Sequence, residues 1–233
     1  MNVPLIDLPE MKPARNAPGR FITFEGGEGA GKSTQVRHLR SHLEQCGIRV
    51  IATREPGGSP RAEALRAALL GGRATGLGAF GEAVLFGAAR IDHIDTLIRP
   101  ALAGGAWVVC DRFADSTRAY QGADGHAKPE LIAALERVVV GPMKPDLTIL
   151  LDLDPEAGLA RAKARAGDAA ADRFEGEKLD FHSALREAFL QIARQEPARE
   201  KIVDAALPEH EIADRVWALT CDAFPSDLKG RRP

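Results

Sequence analysis

The sequence predicts an α/β fold: a central parallel sheet of five strands covered by helices on both faces. Three observations carry this. Short apolar, β-branched runs alternate with helix-period stretches from residue 21 to about 224. Glycines or an Asp-Pro pair stand at the joints. A chain of 233 residues also suits one such domain. Alternation of this kind cannot bury strands on both faces unless helices cross over between parallel neighbours.

Each element follows in order. Residues 1–19 carry prolines and show neither helical nor strand period, so they read as an irregular extension before a single domain over 20–225. FITFE (21–25) is a strand closed by glycines. In the next stretch Val36, Leu39 and Leu43 share a helix face, and Gly47 stands where a left-handed residue would end that helix. IRVIATRE (48–55) reads as strand and 60–70 as helix. A long helix is expected over 81–103, then the strand WVVCD (107–111), a helix over 129–140 and a buried strand in DLTILLDLD (146–154). Asp154-Pro155 supplies an N-cap and an N1 proline for a helix to about Arg165. Residues 181–196 are helical, 201–205 a last strand and 208–224 a last helix.

Composition narrows the class. Acidic side chains number 33 against 31 basic, a net charge of −2, which argues against a nucleic-acid binder. No apolar run approaches the roughly 18 residues of a membrane span. The first 20 residues have no apolar core of a secretory signal, and Cys46, Cys110 and Cys221 are scattered. Reduced thiols in the cytoplasm are therefore expected.

The sharpest signal is Gly26-Gly27-Glu28-Gly29-Ala30-Gly31-Lys32-Ser33, followed by Thr34. It is a full phosphate-binding loop, placed after a strand and at the start of a helix. Glycines let successive N–H groups converge on one point, and the helix adds its positive end. Lys32 would reach the β- and γ-phosphates of a nucleotide, and the Ser33 hydroxyl would hold Mg2+. The predicted fold is thus the three-layer sandwich of P-loop NTPases. No guanine-reading N-K-x-D follows, and the chain is short for a translocating ATPase, which leaves a kinase for a small acceptor. Asp111 and Asp152 both end apolar strands and are rival acids for the metal site; Asp111 is preferred. Arg112 next to it has the planar fork that suits a phosphate. Phe86 and Arg90 lie four apart on one helix face. Alone, they read more readily as a core ring beside a surface charge than as a slot for a base.

Six stretches together are similar to the bacterial thymidylate kinases: FEGGEGAGKST (24–34), TREPGG (53–58), LFGAAR (85–90), DRFADSTRAYQG (111–122), PDLTILLDLDPEAGLARAKAR (145–165) and DRFE (172–175). The loop is common to a superfamily; TREPGG with the DRF and AYQG elements is far more specific. The resemblance implies transfer of a phosphoryl group from ATP to dTMP with Mg2+. It implies that Phe86 stacks on thymine, Arg90 bonds the 4-carbonyl, Thr117 lies close to the pyrimidine edge, and Gln121 is among the substrate-binding residues. Tyr120 would close against the sugar and exclude a 2′-hydroxyl. Arg112 would clamp the acceptor phosphate, with Asp111 in the outer shell of the metal. Glu28 would face the sugar 3′-hydroxyl or the phosphate, and a cis bond before Pro56 would shape the acceptor pocket. A lid over about 161–180 would bring Arg161 and Arg165 to the moving phosphoryl group, compensating for glycine at Gly29 where another branch has arginine. A homodimer packed through helices is implied, with 81–103 a candidate interface. Arg118, read in a turn, has no assigned role. The competing readings are a kinase of another monophosphate or of a deoxynucleoside, and a non-catalytic ATP-binding regulator; Lys32, Ser33, Asp111 and Arg112 together count against the regulator.

Overall fold

A computed structural model describes residues 19–122, 127–166, 174 and 176–230. The extension as far as residue 18, and residues 167–173 and 175 of the segment read as a lid, Arg173 among them, lie outside the described residues. Five strands form one parallel sheet: β1 (Phe21–Glu25), β2 (Val50–Arg54), β3 (Trp107–Asp111), β4 (Leu147–Asp152) and β5 (Glu200–Asp204). Their spatial order is β2-β3-β1-β4-β5. The chain therefore switches sides at β1, and in open α/β sheets a ligand crevice forms at such a point.

Helices cover both faces: α1 (Lys32–Gln45), α2 (Pro60–Leu70), α3 (Gly78–His93), α4 (Arg99–Ala103), α5 (Ala114–Gly122), α6 (Pro129–Val139), α7 (Pro155–Ala166), α8 (Leu179–Gln195), α9 (Glu209–Ala223) and α10 (Pro225–Leu228). Alternation along β1 explains the two cores. Ile22 and Phe24 pack with Leu39, Leu43, Val109 and Ile149 under α1 and α9. Phe21 faces the other way, with Ile94, Ile98, Val108 and Phe113. Truncating Leu39 or Leu43 to alanine would cost about 2–5 kcal/mol, because each is fully buried and the packing would close only part of the cavity left behind.

The expected N-cap is present: Asp154 Oδ1 accepts from the backbone N–H of Glu156 at 3.0 Å. Gly47 ends α1 at φ 74°. Two elements differ from expectation. The long helix over 81–103 is broken by a wide π turn at Ile94–Ile98, which accommodates Pro100 in the following turn. The region after Phe113 is the helix α5 rather than a turn, so Arg118 stands on a helix face. The packing also continues past residue 225, where Leu228 closes the core and Arg20 donates to Asp227 at 2.9 Å.

Candidate active site

Strand register sets the site. Asp111 is paired with Phe24 on one side and Arg54 on the other, so β1, β2 and β3 end together. The phosphate loop leaves β1 at this edge. Gly26, Gly29 and Gly31 all have positive φ, the conformation that curls the loop. At Gly29 a Cβ would meet the Gly158 carbonyl oxygen at 2.0 Å, and at Gly158 a Cβ would meet the Glu28 carbonyl oxygen at 2.4 Å. Loop and α7 thus touch backbone to backbone.

Lys32 Nζ donates to the carbonyls of Gly26 at 3.1 Å and Gly27 at 2.6 Å. Burial pushes its ammonium down to about 8, with Arg112 adding to the effect against the attraction of Glu28, Asp111 and Glu25. Ser33 Oγ donates to Asp111 Oδ2 at 2.5 Å at the loop's mouth. Asp152, the rival acid, instead accepts two bonds from Arg186, at 2.6 and 2.9 Å.

Arg112 has φ 68°, the one non-glycine residue with positive φ among those described. Its guanidinium donates to the Gly26 carbonyl at 3.0 Å, to Ser116 Oγ at 3.3 Å and to Glu28 Oε1 at 2.6 Å. Tyr120 donates its hydroxyl to the same Glu28 oxygen at 2.6 Å. Burial disfavours charge on Glu28, but Arg112, Lys32 and the Tyr120 hydroxyl overcome it and hold the carboxyl at about 2. The oddity of an acid inside a phosphate loop is resolved here: Glu28 is the counter-ion of Arg112.

Beneath them lies Glu25, which sequence reading passed over. It accepts from the backbone N–H of Phe113 at 2.8 Å and from the Ser116 hydroxyl at 2.6 Å, tying the DRF turn to β1. Full burial, then Asp115, pushes its carboxyl up to about 7. An acid ending a buried strand was the available signal, the same one that singled out Asp111.

At the far end, Arg90 is buried. Nε donates to Glu55 Oε2 at 2.6 Å, and Nη2 donates to the Phe113 carbonyl at 3.0 Å and Thr117 Oγ1 at 3.1 Å. The Glu55–Pro56 bond is cis. A cleft of about 440 Å³ joins both ends. It runs from Glu28–Thr34, Ala30 included, past Asp111, Arg112 and Tyr120 to Pro56, Phe86, Arg90, Thr117 and Gln121. Gly26 and Gly27 stand behind it, as part of the lining of a smaller cavity.

Of the two lid arginines, Arg165 lines the cleft and Arg161 does not. Arg161 is one turn earlier and donates to the Ala205 carbonyl at 2.9 Å. Arg37, Arg54 and Arg66 also line the cleft and went unread. Arg37 was legible as the residue one turn beyond Ser33, bonded to Thr34 Oγ1 at 3.1 Å, and Arg54 stands within TREPGG. Arg66 donates to the Pro56 carbonyl at 2.6 Å, a contact with no local signature.

Comparison with known proteins agrees with this geometry. The family model described as thymidylate kinase matches residues 24–216. The thymidylate kinase of Rhodopseudomonas palustris (strain TIE-1) is 59% identical over 204 residues, covering 87% of this chain and 89% of that protein. That of Bradyrhizobium diazoefficiens is 56% identical over 204 residues, covering 88% and 90%. A crystal structure of thymidylate kinase from Ehrlichia chaffeensis superposes with a TM-score of 0.70 at 31% identity, covering 88% of this chain and 99% of that one. The chain belongs to the thymidylate kinase family.

Proposed function

We propose that the chain transfers the γ-phosphoryl group of ATP to dTMP, giving ADP and dTDP. The observation that carries this reading is one continuous cleft with a phosphate loop at one end and the Phe86–Arg90 pair at the other. Arg112 and Glu28 lie between, where donor and acceptor phosphates must meet. The lysine ammonium, the loop N–H groups and the fork of Arg112 neutralise charge on the transferring oxygens, and they are fixed before the reaction begins. Arg165 is the lid-side cation for the same charge.

Magnesium fits the donor set. Ser33 and Asp111 present hard oxygens in contact with each other, and no cluster of three His, Cys, Asp or Glu stands among the described residues. Nucleotide oxygens and water would complete the shell, as suits an ion that sheds water reluctantly. Ser33 and Asp111 would hold the ion, which would supply positive charge to stabilise the phosphate oxygens.

Acceptor choice follows from donor and acceptor matching. Arg90 offers only N–H groups, which suits the 4-oxygen of thymine and opposes the amino group of cytosine. Two facing donors cost about 1–3 kcal/mol, so dCMP is expected to be a poor acceptor. The thymine methyl adds about 0.8 kcal/mol, so dUMP follows dTMP by a factor of several. Tyr120, anchored to Glu28, stands against the sugar and disfavours UMP. Steady-state kcat/KM for dTMP, dUMP, dCMP and UMP tests the ordering; parity of dCMP or UMP with dTMP removes it.

A homodimer is the second part of the reading. Phe80, Val84 and Ile91 expose one apolar face of α3, and Leu131 and Val138 do so on neighbouring α6. Sedimentation equilibrium checks it, with a monomer at micromolar concentration as the contrary result. Among the described residues no helix is long and apolar enough to cross a membrane. We place the reaction in the cytoplasm, where Cys46, Cys110 and Cys221 stay reduced.

A further inference from the structure

We infer that His93 is a positioning residue for base selection, acting on Arg90 through Glu55. The inference rests on the reading of Arg90 as the group that meets the pyrimidine edge.

The side chains form an unbroken buried chain. Glu55 divides its carboxylate: Oε2 accepts from Arg90 Nε at 2.6 Å and Oε1 pairs with His93 Nδ1 at 3.0 Å. His93 Nε2 lies 2.8 Å from Thr53 Oγ1. The imidazole is fully buried, and Glu55 and Arg90 are each about 5% exposed. A carboxylate can only accept, so Nδ1 must carry the proton. In that tautomer Nε2 accepts from the Thr53 hydroxyl.

Two further features fix the ring. His93 is three residues beyond Arg90 on α3, so both project from one face of the helix. Gly58 walls the other side: at φ +84°, a Cβ there would meet His93 Nε2 at 2.4 Å and Thr53 Oγ1 at 2.5 Å. Thr53, Glu55 and Gly58 all belong to the TREPGG stretch. That motif therefore does more than shape the pocket wall beside Pro56. It cradles a ring that holds the carboxylate that aims the guanidinium.

The physical role follows from the freedom of an unshared carboxylate. With only Arg90 as partner, Glu55 can rotate and take the guanidinium with it, swinging Arg90 away from Thr117 and the base. With Oε1 held by His93, one orientation is left. A group that chooses between a carbonyl and an amino partner needs such fixity, since a mobile fork can retreat from a mismatched base.

The test separates the two nitrogens. His93→Gln can reach Thr53 but no longer donates at the Nδ1 position; His93→Asn keeps that donor and gives up Thr53. His93→Gln should raise KM for dTMP about tenfold, leave KM for ATP unchanged and narrow the preference for dTMP over dCMP at least fivefold. His93→Asn should change each by less than threefold. On the unsubstituted protein, 15N shifts of the His93 ring, identified by their loss in His93→Gln, should show Nδ1 protonated and Nε2 bare. A folded His93→Gln that discriminates as the parent does overturns the proposal, as does a ring protonated at Nε2 alone. Arg90→Ala is the control: if it collapses discrimination while His93→Gln does not, the relay fails and the reading of the cleft stands. If Arg90→Ala keeps full discrimination, both fall.

Discussion

Arg112 and Arg118 lie six residues apart, both paired with carboxylates, yet their surroundings differ in kind. Arg118 on α5 is spanned by acids from three elements: Asp115 at 2.9 Å, Glu196 at 2.6 Å and Glu136 at 3.7 Å. Asp115 is in turn held by Arg199, which also reaches Glu196 and Glu200. In that cluster each arginine is answered by at least two carboxylates of the protein itself. Arg112 faces the cleft at a positive φ, and its partners Glu28 and the Gly26 carbonyl belong to the loop that an anion would occupy. A saturated arginine holds elements together; one whose bonds can be exchanged for a phosphate can recognise it. Residue type alone does not distinguish them.

Four measurements would break or sharpen that contrast. Lys32→Ala, on the exchangeable side, should keep the fold and lower kcat at least a hundredfold, since it removes charge matched to the transferring oxygens. Near-parental turnover in the folded variant would take the loop out of the mechanism. Arg112→Lys keeps the charge but loses the fork, so KM for dTMP should rise about tenfold or more with KM for ATP little changed. Equal weakening of both nucleotides would return Arg112 to a structural role.

The third effect is smaller and concerns pH. In the empty protein the Lys32 ammonium titrates near 8, and phosphate oxygens would raise that value by favouring the charged form. A group whose pKa rises on binding gives affinity that is complete below its free value and fades as pH climbs through it. ATP affinity, measured by calorimetry from pH 7 to 9, should therefore weaken, by about tenfold at most. Constant affinity across that range would mean Lys32 stays charged when the site is empty. Last, Arg118→Leu should leave kcat/KM within twofold at 25 °C while lowering stability by about 1–3 kcal/mol, a fall of several degrees in Tm. A kinetic defect there would erase the distinction between the two arginines.

How much of this was legible in the sequence depended on whether the cause was local. Strands such as FITFE and WVVCD follow from runs of a few residues, and the phosphate loop from eight consecutive ones. The π turn at Ile94–Ile98 was missed because helical period persists through it, and only Pro100 hinted at a widened turn. The helix carrying Ser116 to Gln121 was missed because DRFADSTRAYQG lacks apolar periodicity and owes its packing to α6 and α8. Arg161 and Arg165 share composition and helix face. Which of them meets the cleft was decided by the Ala205 carbonyl, more than forty residues away. The contacts of Glu25 and of the His93 chain are likewise long-range, which no window of sequence displays.

The bare backbone contact between Gly29 and Gly158 has a mechanical consequence. With a side chain on the loop glycine, the start of α7 would have to lift, since the Gly158 carbonyl oxygen fills that space. Arg165 rides on the same helix, two turns further along. A cation added to the loop would thus displace the cation carried by the helix. The two positions behave as ends of one lever, and this chain, with glycine at both points of contact, can load only the helical end.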